Sequence, residues 1–227
     1  MQKLLLSFTM VLLVAATANA QQHINKINNF ADLGVGFGSS QTSMSGSFIH
    51  NWQLGKRGRF FIGTGARFTS YFGKNIHYIS APASLAADEQ STDSLFISSP
   101  TVHSLNVLVN LGINITSKLQ VGFNIDAVGF SFAKSGNTTF IHDGIGVATI
   151  AKPTAFNILL IGNNDHGSLN SHFYLQYSFN SDWGVKAAYQ YLFTEFTADA
   201  KAQVQPEEND RFRNKAAMGY IGITYGF

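Results

Sequence analysis

Residues 101–115 read TVHSLNVLVNLGINI, and apolar and polar side chains alternate along most of this stretch. Successive side chains of a β-strand point to opposite faces, so a period of two predicts a strand with one apolar and one polar face. The apolar face carries aliphatic side chains: Leu105, Val107, Val109, Leu111, Ile113 and Ile115. The polar face carries Ser104, Asn106, Asn110, Gly112 and Asn114.

The same alternation recurs in seven further runs along the chain. They cover about 31–38, 45–54, 59–72, 119–133, 169–179, 184–197 and 212–227. Several runs exceed the roughly five or six residues that are usual for strands of soluble sheets. After residue 20, no segment reaches the roughly 18 consecutive apolar residues that a membrane-spanning helix needs. The sequence therefore predicts an all-β fold with eight strands.

The connections between these strands alternate in length. At one end of the predicted strands lie short polar turns, at 55–58, 116–118 and 180–182. At the other end lie four connections, three of them long, at 39–44, 73–100, 134–168 and 198–211. Outer-membrane barrels have short periplasmic turns and longer extracellular loops. The pattern predicts an antiparallel up-and-down transmembrane β-barrel. Aromatic residues lie near the predicted periplasmic rim, where a girdle belongs: Trp52, Phe60, Phe179, Trp183 and Tyr225.

The segment 134–168 leaves the strand number open. Residues 140–150 and 156–162 flank a possible short turn at 151–154, and two further membrane strands there would make ten. Residues 157–161 do not alternate cleanly, which favours eight strands with this segment as an apolar extracellular hairpin or lid. A soluble lipocalin-like barrel would carry a charged outer face. Only 12% of the residues are charged, against about 25% in soluble domains, which argues against that alternative.

Composition excludes several other classes of protein. Fifteen basic and 13 acidic residues leave a net charge of +2 without a basic block, which argues against nucleic-acid binding. The abundant aromatic residues argue against a disordered chain. The absence of cysteine excludes disulfides, thiolate metal sites and cysteine nucleophiles.

The first twenty residues have the three regions of a secretory signal. Lys3 supplies the positive charge, residues 4–14 the apolar core, and residues 18–20 the small-residue cleavage site. A buried N-terminal helix is the alternative interpretation. No cysteine follows the cleavage site, so a lipoprotein anchor is not expected. The predicted division of the chain is 1–20 as signal peptide, 21–29 as N-terminal periplasmic segment and 30–227 as outer-membrane barrel.

The sequence resembles the small outer-membrane β-barrel proteins of Gram-negative bacteria. The features behind the resemblance are the signal peptide, the even number of amphipathic strands and the terminal segment 222–227, GITYGF. In that family, a last strand ending in an aromatic residue, here Phe227, implies recognition by the outer-membrane assembly machinery. Residues 151–157 and 209–215 are also similar to uncharacterised barrels of Bacteroidota. The resemblance implies residence in the outer membrane and no catalytic residue.

A polar network is expected inside the predicted barrel. Arg67 and Asp126 share a mid-barrel height, and Asp32 and Lys186 lie lower. Unpaired buried ions are very costly, so we expect each pair to be close in space. The network is either a structural core, as is usual in so narrow a barrel, or a gated solute path. Its expected members are Asp32, Arg67, Asp126, Lys186, Gln190 and His172, the last as an inward, hydrogen-bonded histidine.

Three cations share the outward parity of the last strand, just above the apolar band. Arg211, Arg213 and Lys215 are expected at the height of lipid headgroups, and Arg matches phosphate geometry well. We hypothesise a contact with lipopolysaccharide, with a solvated charged rim as the alternative. The acidic long loops lack the spacing of an EF-hand, so a solvated surface is favoured and neither metal nor cofactor is expected.

Catalytic motifs are sparse. Neither a Gly-x-Ser-x-Gly elbow nor a His-Glu-x-x-His pair occurs in the sequence. The best candidate is His166 with Ser168 and a carboxylate from Glu195, Glu207 or Glu208. Such a set would resemble outer-membrane lipid deacylases, although chance is the simpler explanation. We therefore expect a non-enzymatic scaffold, monomeric or weakly associated, whose loops contact lipopolysaccharide, surfaces or partner proteins. A narrow channel for small solutes and a lipid hydrolase using His166 and Ser168 are the alternatives.

Overall fold

The computed structural model describes residues 27–86, 93–160, 164–199 and 202–227, which form one continuous antiparallel sheet and one short helix. The predicted signal peptide lies outside the described residues. The elements are β1 (Ile27–Gly38), β2 (Gln41–Leu54), β3 (Phe60–Gly73), β4 (Ile76–Ser80), α1 (Ala83–Ala86), β5 (Ser94–Ile97), β6 (Thr101–Asn114), β7 (Leu119–Phe132), β8 (Gly136–His142), β9 (Ile145–Pro153), β10 (Phe156–Ile158), β11 (Asn170–Ser178), β12 (Trp183–Ala198) and β13 (Arg211–Gly226). The expected all-β antiparallel fold is confirmed. No helix in the described ranges is long and apolar enough to cross a bilayer.

Eight of the strands pair in chain order and close on themselves. The order is β1-β2-β3-β6-β7-β11-β12-β13, and β13 pairs back with β1 from Phe30↔Gly226 to Phe37↔Gly219. We call this cycle the eight-stranded ring. Its turn end carries the connections 55–59, 115–118 and 179–182, and its loop end is the opposite one. Residues 27–29, expected before the barrel, belong to β1.

A second cycle of strands is built onto the loop end. β12 and β13 extend beyond β11 and β1, and their ends pair with β9 (Ala198↔Ala151) and with β4 (Phe212↔Ser80). β4, β5, β8 and β9 pair in series, so β12-β13-β4-β5-β8-β9 forms a six-stranded ring that shares two strands with the first. With β10, which pairs with β7, the sheet has thirteen strands. Thirteen strands exceed the eight or ten expected, because strands also occur in 73–100, expected as a loop, and in 134–168, expected as an apolar extracellular hairpin or lid.

Side chains of the eight-stranded ring alternate between a polar interior and an apolar exterior. In β2, Ser43, Ser45 and Ser47 are buried, whereas Met44 and Phe48 are 53% and 47% exposed. This distribution is the reverse of that in a soluble barrel, whose apolar face points inward.

An apolar core fills the six-stranded ring. Its centre includes Tyr78, Phe196 and Phe212, with the Tyr78 and Phe196 ring centroids 5.0 Å apart. Tyr71, Val102 and Met218, from strands of the eight-stranded ring, belong to the same cluster. The core therefore continues from the six-stranded ring into the loop end of the eight-stranded ring.

Candidate functional site

The lower layer of the polar interior is centred on Asp32 of β1. Lys186 of β12 donates from Nζ to Oδ2 of Asp32 over 3.0 Å, so the expected pair is in contact. Ser47 donates to the same oxygen at 2.6 Å, and the Tyr220 hydroxyl donates to Oδ1 at 3.3 Å. The Lys186 ammonium also lies 4.9 Å from the Tyr174 ring centroid. The buried carboxylate is thus compensated by a cation and two hydroxyl groups.

The middle layer holds the second expected pair. Nε of Arg67 lies 3.5 Å from Oδ1 of Asp126, and both side chains are fully buried. The guanidinium also donates to the Asn124 side chain and to the backbone oxygen of Asn170. Oδ2 of Asp126 accepts from Asn106 Nδ2 at 2.8 Å and from the Asn170 amide at 3.0 Å. Both ions are therefore held by neutral amide groups as well as by each other.

Two chains of hydrogen bonds extend the middle layer across the ring. Gln190 accepts from Ser43 at 2.8 Å and donates to Asn170 at 3.1 Å. Asn157 of β10 donates to Asn106 at 2.8 Å and accepts from the Ser168 amide at 2.8 Å. Side chains from opposite walls thereby meet in the middle of the ring, as expected where eight strands leave only enough space for side chains.

A column of buried polar atoms on β6, β7 and β11 has no hydrogen-bond partner among the described residues. It includes the oxygens of Asn114, Gln120 and Gln176 near the turn end and both ring nitrogens of His172 higher up. The register pairs Gln176 with Gln120 and His172 with Asn124, so these groups are neighbours. Buried polar groups without protein partners normally bind water. The buried ring of Tyr174 lies over Gly122 and separates the atoms near the turn end from His172, so the unpartnered atoms form two sets and not one continuous path.

His172 points into the ring as expected, but the hydrogen bond expected for it is missing within the described part of the chain. Its ring instead packs against Tyr220, with the centroids 4.4 Å apart. Arg67 and Lys186 are both donors, and their hydrogen bonds go to the asparagine and aspartate groups around them. The sequence predicts that His172 points into the ring, but it does not predict which groups Arg67 and Lys186 bond to.

Glu195 is the buried acid at the loop end. Oε1 accepts from Nε of Arg211 at 2.8 Å, and Oε2 accepts from Nη2 of Arg211 at 3.0 Å and from Nη2 of Arg213 at 2.8 Å. The backbone oxygen of Asp165 accepts from both arginines. The sequence suggested Glu195 only as a possible catalytic carboxylate. The signal for its structural role is the cross-strand pairing of Glu195 with Arg213.

The expected outward presentation of the three cations is correct only for Lys215. The Arg213 side chain is 5% exposed and that of Arg211 is 20% exposed, because both turn to the buried Glu195 carboxylate beneath Asp165. Lys215 is exposed, with Nζ 5.9 Å from the Phe193 ring centroid. Of the three, Lys215 alone has no carboxylate partner among the described residues.

His166 and Ser168 do not form a nucleophile and base pair. Ser168 is buried, and its hydroxyl accepts from the Glu195 amide at 3.3 Å. Nδ1 of His166 lies 4.0 Å from Glu195, whose oxygens are already held by the arginines. Partial burial lowers the pKa of His166, as does the positive charge of Arg211. In the described residues, no hydrogen bond links His166 to Ser168, and no cluster of three potential metal ligands occurs.

Comparisons with known proteins give distant structural likeness only. No protein-family model and no curated protein matches the chain. Neisserial surface protein A (NspA) is 10% identical over 91% of this chain and 100% of its own, with a TM-score of 0.42. Ail of Yersinia pestis is 9% identical over 90% and 100%, with a TM-score of 0.39. The toluene transporter TodX of P. putida is 8% identical over 90% and 79%, with a TM-score of 0.26. The architecture therefore rests on the strand pairings themselves.

Proposed function

We propose that the protein is an integral outer-membrane β-barrel that acts as a non-enzymatic scaffold. The supporting observation is the distribution of side chains in the eight-stranded ring. Leu33, Phe173 and Ile221 on the exterior are 58%, 60% and 59% exposed, whereas Arg67 and Lys186 are buried inside. A continuous apolar exterior is a liability in water and a requirement in a bilayer, where a closed ring also leaves no unpaired strand edge.

The proposed orientation places the turn end in the periplasm and the six-stranded ring outside the cell. Exposed aromatic side chains at the turn end support it, because such girdles lie at membrane interfaces. They are Trp52, Phe60, Phe179, Trp183 and Tyr225. We also propose that β13, with its terminal aromatic residues, is the strand that the outer-membrane assembly machinery contacts.

A closed scaffold is favoured over a channel by the filling of the interior. In the middle layer, Arg67 of β3 bonds to Asn170 of β11 and Ser43 of β2 bonds to Gln190 of β12, and the apolar core of the six-stranded ring extends into the loop end. The channel remains the second candidate, because Gln120, Gln176 and His172 leave polar atoms without a protein partner in the interior. A continuous conduit would have to pass both the middle layer and the apolar core.

The outer end offers apolar surface for a partner. Ile145 and Val147, in the β8–β9 hairpin, are 69% and 57% exposed. We propose that this end contacts a surface or a partner protein, and that the lipid-facing wall beneath it contacts lipopolysaccharide. Exposed apolar side chains at one pole of a molecule are typical of interaction surfaces.

The test has a membrane arm and a conductance arm. We expect the protein in the outer-membrane fraction, with a gel mobility that changes on heating, and refolded protein that is silent in a planar bilayer. Recovery as a soluble protein without heat-dependent mobility would overturn the membrane barrel. Steady openings that change in Arg67→Gln or Asp126→Asn would overturn the closed scaffold and establish the channel.

A further inference from the structure

The outer wall of the eight-stranded ring contains a groove of about 740 Å³ on β1, β11, β12 and β13. Gly219 forms its floor between two aromatic side chains, because the register pairs Gly219 with Phe37 on one side and with Tyr189 on the other. A Cβ atom at Gly219 would have no other atom within 4 Å, so the space above this residue is open. The lining also includes Val121 of β7, Phe173, Leu175, Ala187 and Ile221, together with Tyr174 and Tyr220.

The upper end of the groove leads to a free cation. Lys215 lies on the same face of β13 four residues before Gly219, a rise of about 13 Å, with only Ala217 between them on that face. Lys215 is exposed and has no carboxylate partner in the described part of the chain. Arg213 and Arg211, the next outward cations of β13, are bound to Glu195. Of these three cations of β13, Lys215 is therefore the one available to an anion.

We infer that this groove and Lys215 together bind one lipid A moiety of lipopolysaccharide. The ammonium of Lys215 binds a lipid A phosphate, and one acyl chain passes Ala217 and lies over Gly219 between Phe37 and Tyr189. The inference rests on the proposed function, which places this end of the barrel in the outer leaflet. The volume of the groove is within the range of about 300–1,000 Å³ that small-molecule sites have. The aromatic walls and the single charge match a ligand that is apolar along its length and anionic at one end.

Two substitutions separate the phosphate contact from the acyl contact. Lys215→Gln removes the charge but keeps most of the side chain. Gly219→Leu fills the groove, and neither the backbone conformation of Gly219 nor its surroundings oppose a side chain. Matched controls lie elsewhere on the molecule: Lys118→Gln at an exposed turn, and Val107→Leu on the outer face of β6.

The experiment is native mass spectrometry of the refolded full chain with lipid A, phosphatidylglycerol or phosphatidylcholine as the probe. We expect lipid A to bind the wild type most tightly and each groove variant to weaken it about tenfold, which is the effect of losing one charge-assisted contact or its apolar equivalent. Both controls should bind as the wild type does.

The inference is overturned if lipid A binds all variants equally, if phosphatidylglycerol binds as tightly as lipid A, or if Gly219→Leu disrupts a dimer without changing lipid A binding. Heat-dependent gel mobility of each variant is measured in parallel. A folded barrel with variant-independent lipid binding contradicts this inference alone, whereas failure to form a membrane barrel contradicts the proposed function.

Discussion

Arg67 and Asp126 are buried together because neither ion is tolerable alone in a narrow interior. Their side chains are 1% and 0% exposed, and Asn106, Asn124 and Asn170 supply further hydrogen bonds to them. Removing one member of such a pair leaves an uncompensated buried charge, whereas replacing both by apolar side chains of similar size is often neutral. We therefore expect the pair to add little net stability relative to a pair of apolar side chains of the same size.

Asp126→Leu should therefore destabilise the barrel by about 3–5 kcal/mol, and the double variant Arg67→Met, Asp126→Leu should recover much of that loss. Urea-induced unfolding in lipid vesicles, followed by tryptophan fluorescence, measures both. Equal destabilisation by the single and the double variant would show that the cost comes from lost packing and not from the unpaired guanidinium.

At the residue scale, the sequence predicted which side chains share the interior but not all of their contacts. Strand parity and distance from the short turns were enough to pair Asp32 with Lys186, since both quantities follow from regular strand geometry. The cluster of Glu195, Arg211 and Arg213 was not predicted, because the alternation along β13 places Arg213 on the outer face. In the structure, the backbone of Asp165 lies against the Arg213 side chain on that face. The segment before β11 has no periodicity from which that position follows.

Among the elements, β7 shows how one extra residue separates polar from apolar side chains. The register with β6 shifts between Val107↔Val128 and Leu108↔Asp126, which leaves Ala127 as a bulge. Asp126 therefore faces inward while Phe130 faces outward, although an unbroken alternation would place both on one side. The Ala127 carbonyl accepts from the Leu159 amide at 2.8 Å, so the bulge also helps to hold the segment that follows β10.

The long amphipathic strands were predictable from periodicity, and the short ones were not. β4 and β5 have five and four residues, too few for a period of two to be distinguished from chance. The two pairings that attach the six-stranded ring to β12 and β13 also join strands that are distant in sequence, because β4 pairs with β13 and β9 pairs with β12. The six-stranded ring is thus a product of long-range pairing, whereas each strand of the eight-stranded ring carries its own signal.

The seam between β5 and β8 has a pH-dependent contact. Only three residue pairs join these strands, and Nδ1 of His142 lies 2.8 Å from Oδ1 of Asp93 beside them. The hydrogen bond to Asp93, and then its negative charge, raise the pKa of His142. Because the pKa in the folded state exceeds the unfolded value of about 6.5, the contact stabilises the seam below that pH and is lost as the pH rises through the raised pKa.

We therefore expect amide hydrogen exchange in residues 94–97 and 139–141, corrected for the intrinsic rate, to be faster at about pH 8 than at about pH 6. His142→Gln keeps a hydrogen-bonding group without the charge change and should abolish the pH dependence. A pH dependence of the same size in His142→Gln would assign the effect to another group.

On the scale of the whole molecule, the two rings divide the interior into halves of opposite character. The half nearest the turn end contains the unpartnered polar atoms of Gln120, Gln176 and His172. The half nearest the loop end contains the apolar core around Phe196 and Phe212. Because β12 and β13 pass through both rings, the boundary is fixed by two continuous strands. Water is therefore expected to enter from one end only.

The absence of cysteine from the sequence makes this asymmetry directly measurable. Gln176→Cys places a thiol in the polar column, and Met218→Cys places one in the apolar core, where the native side chains are 5% and 2% exposed. A small water-soluble thiol reagent should modify Gln176→Cys at a rate approaching that of Lys118→Cys, which lies on an exposed turn. It should leave Met218→Cys largely unmodified, because the two positions differ in hydration and not in static exposure. Equal rates at positions 176 and 218 would mean that the interior is uniformly dry or uniformly hydrated. In the second case, the core of the six-stranded ring would not close the barrel and conduction would follow.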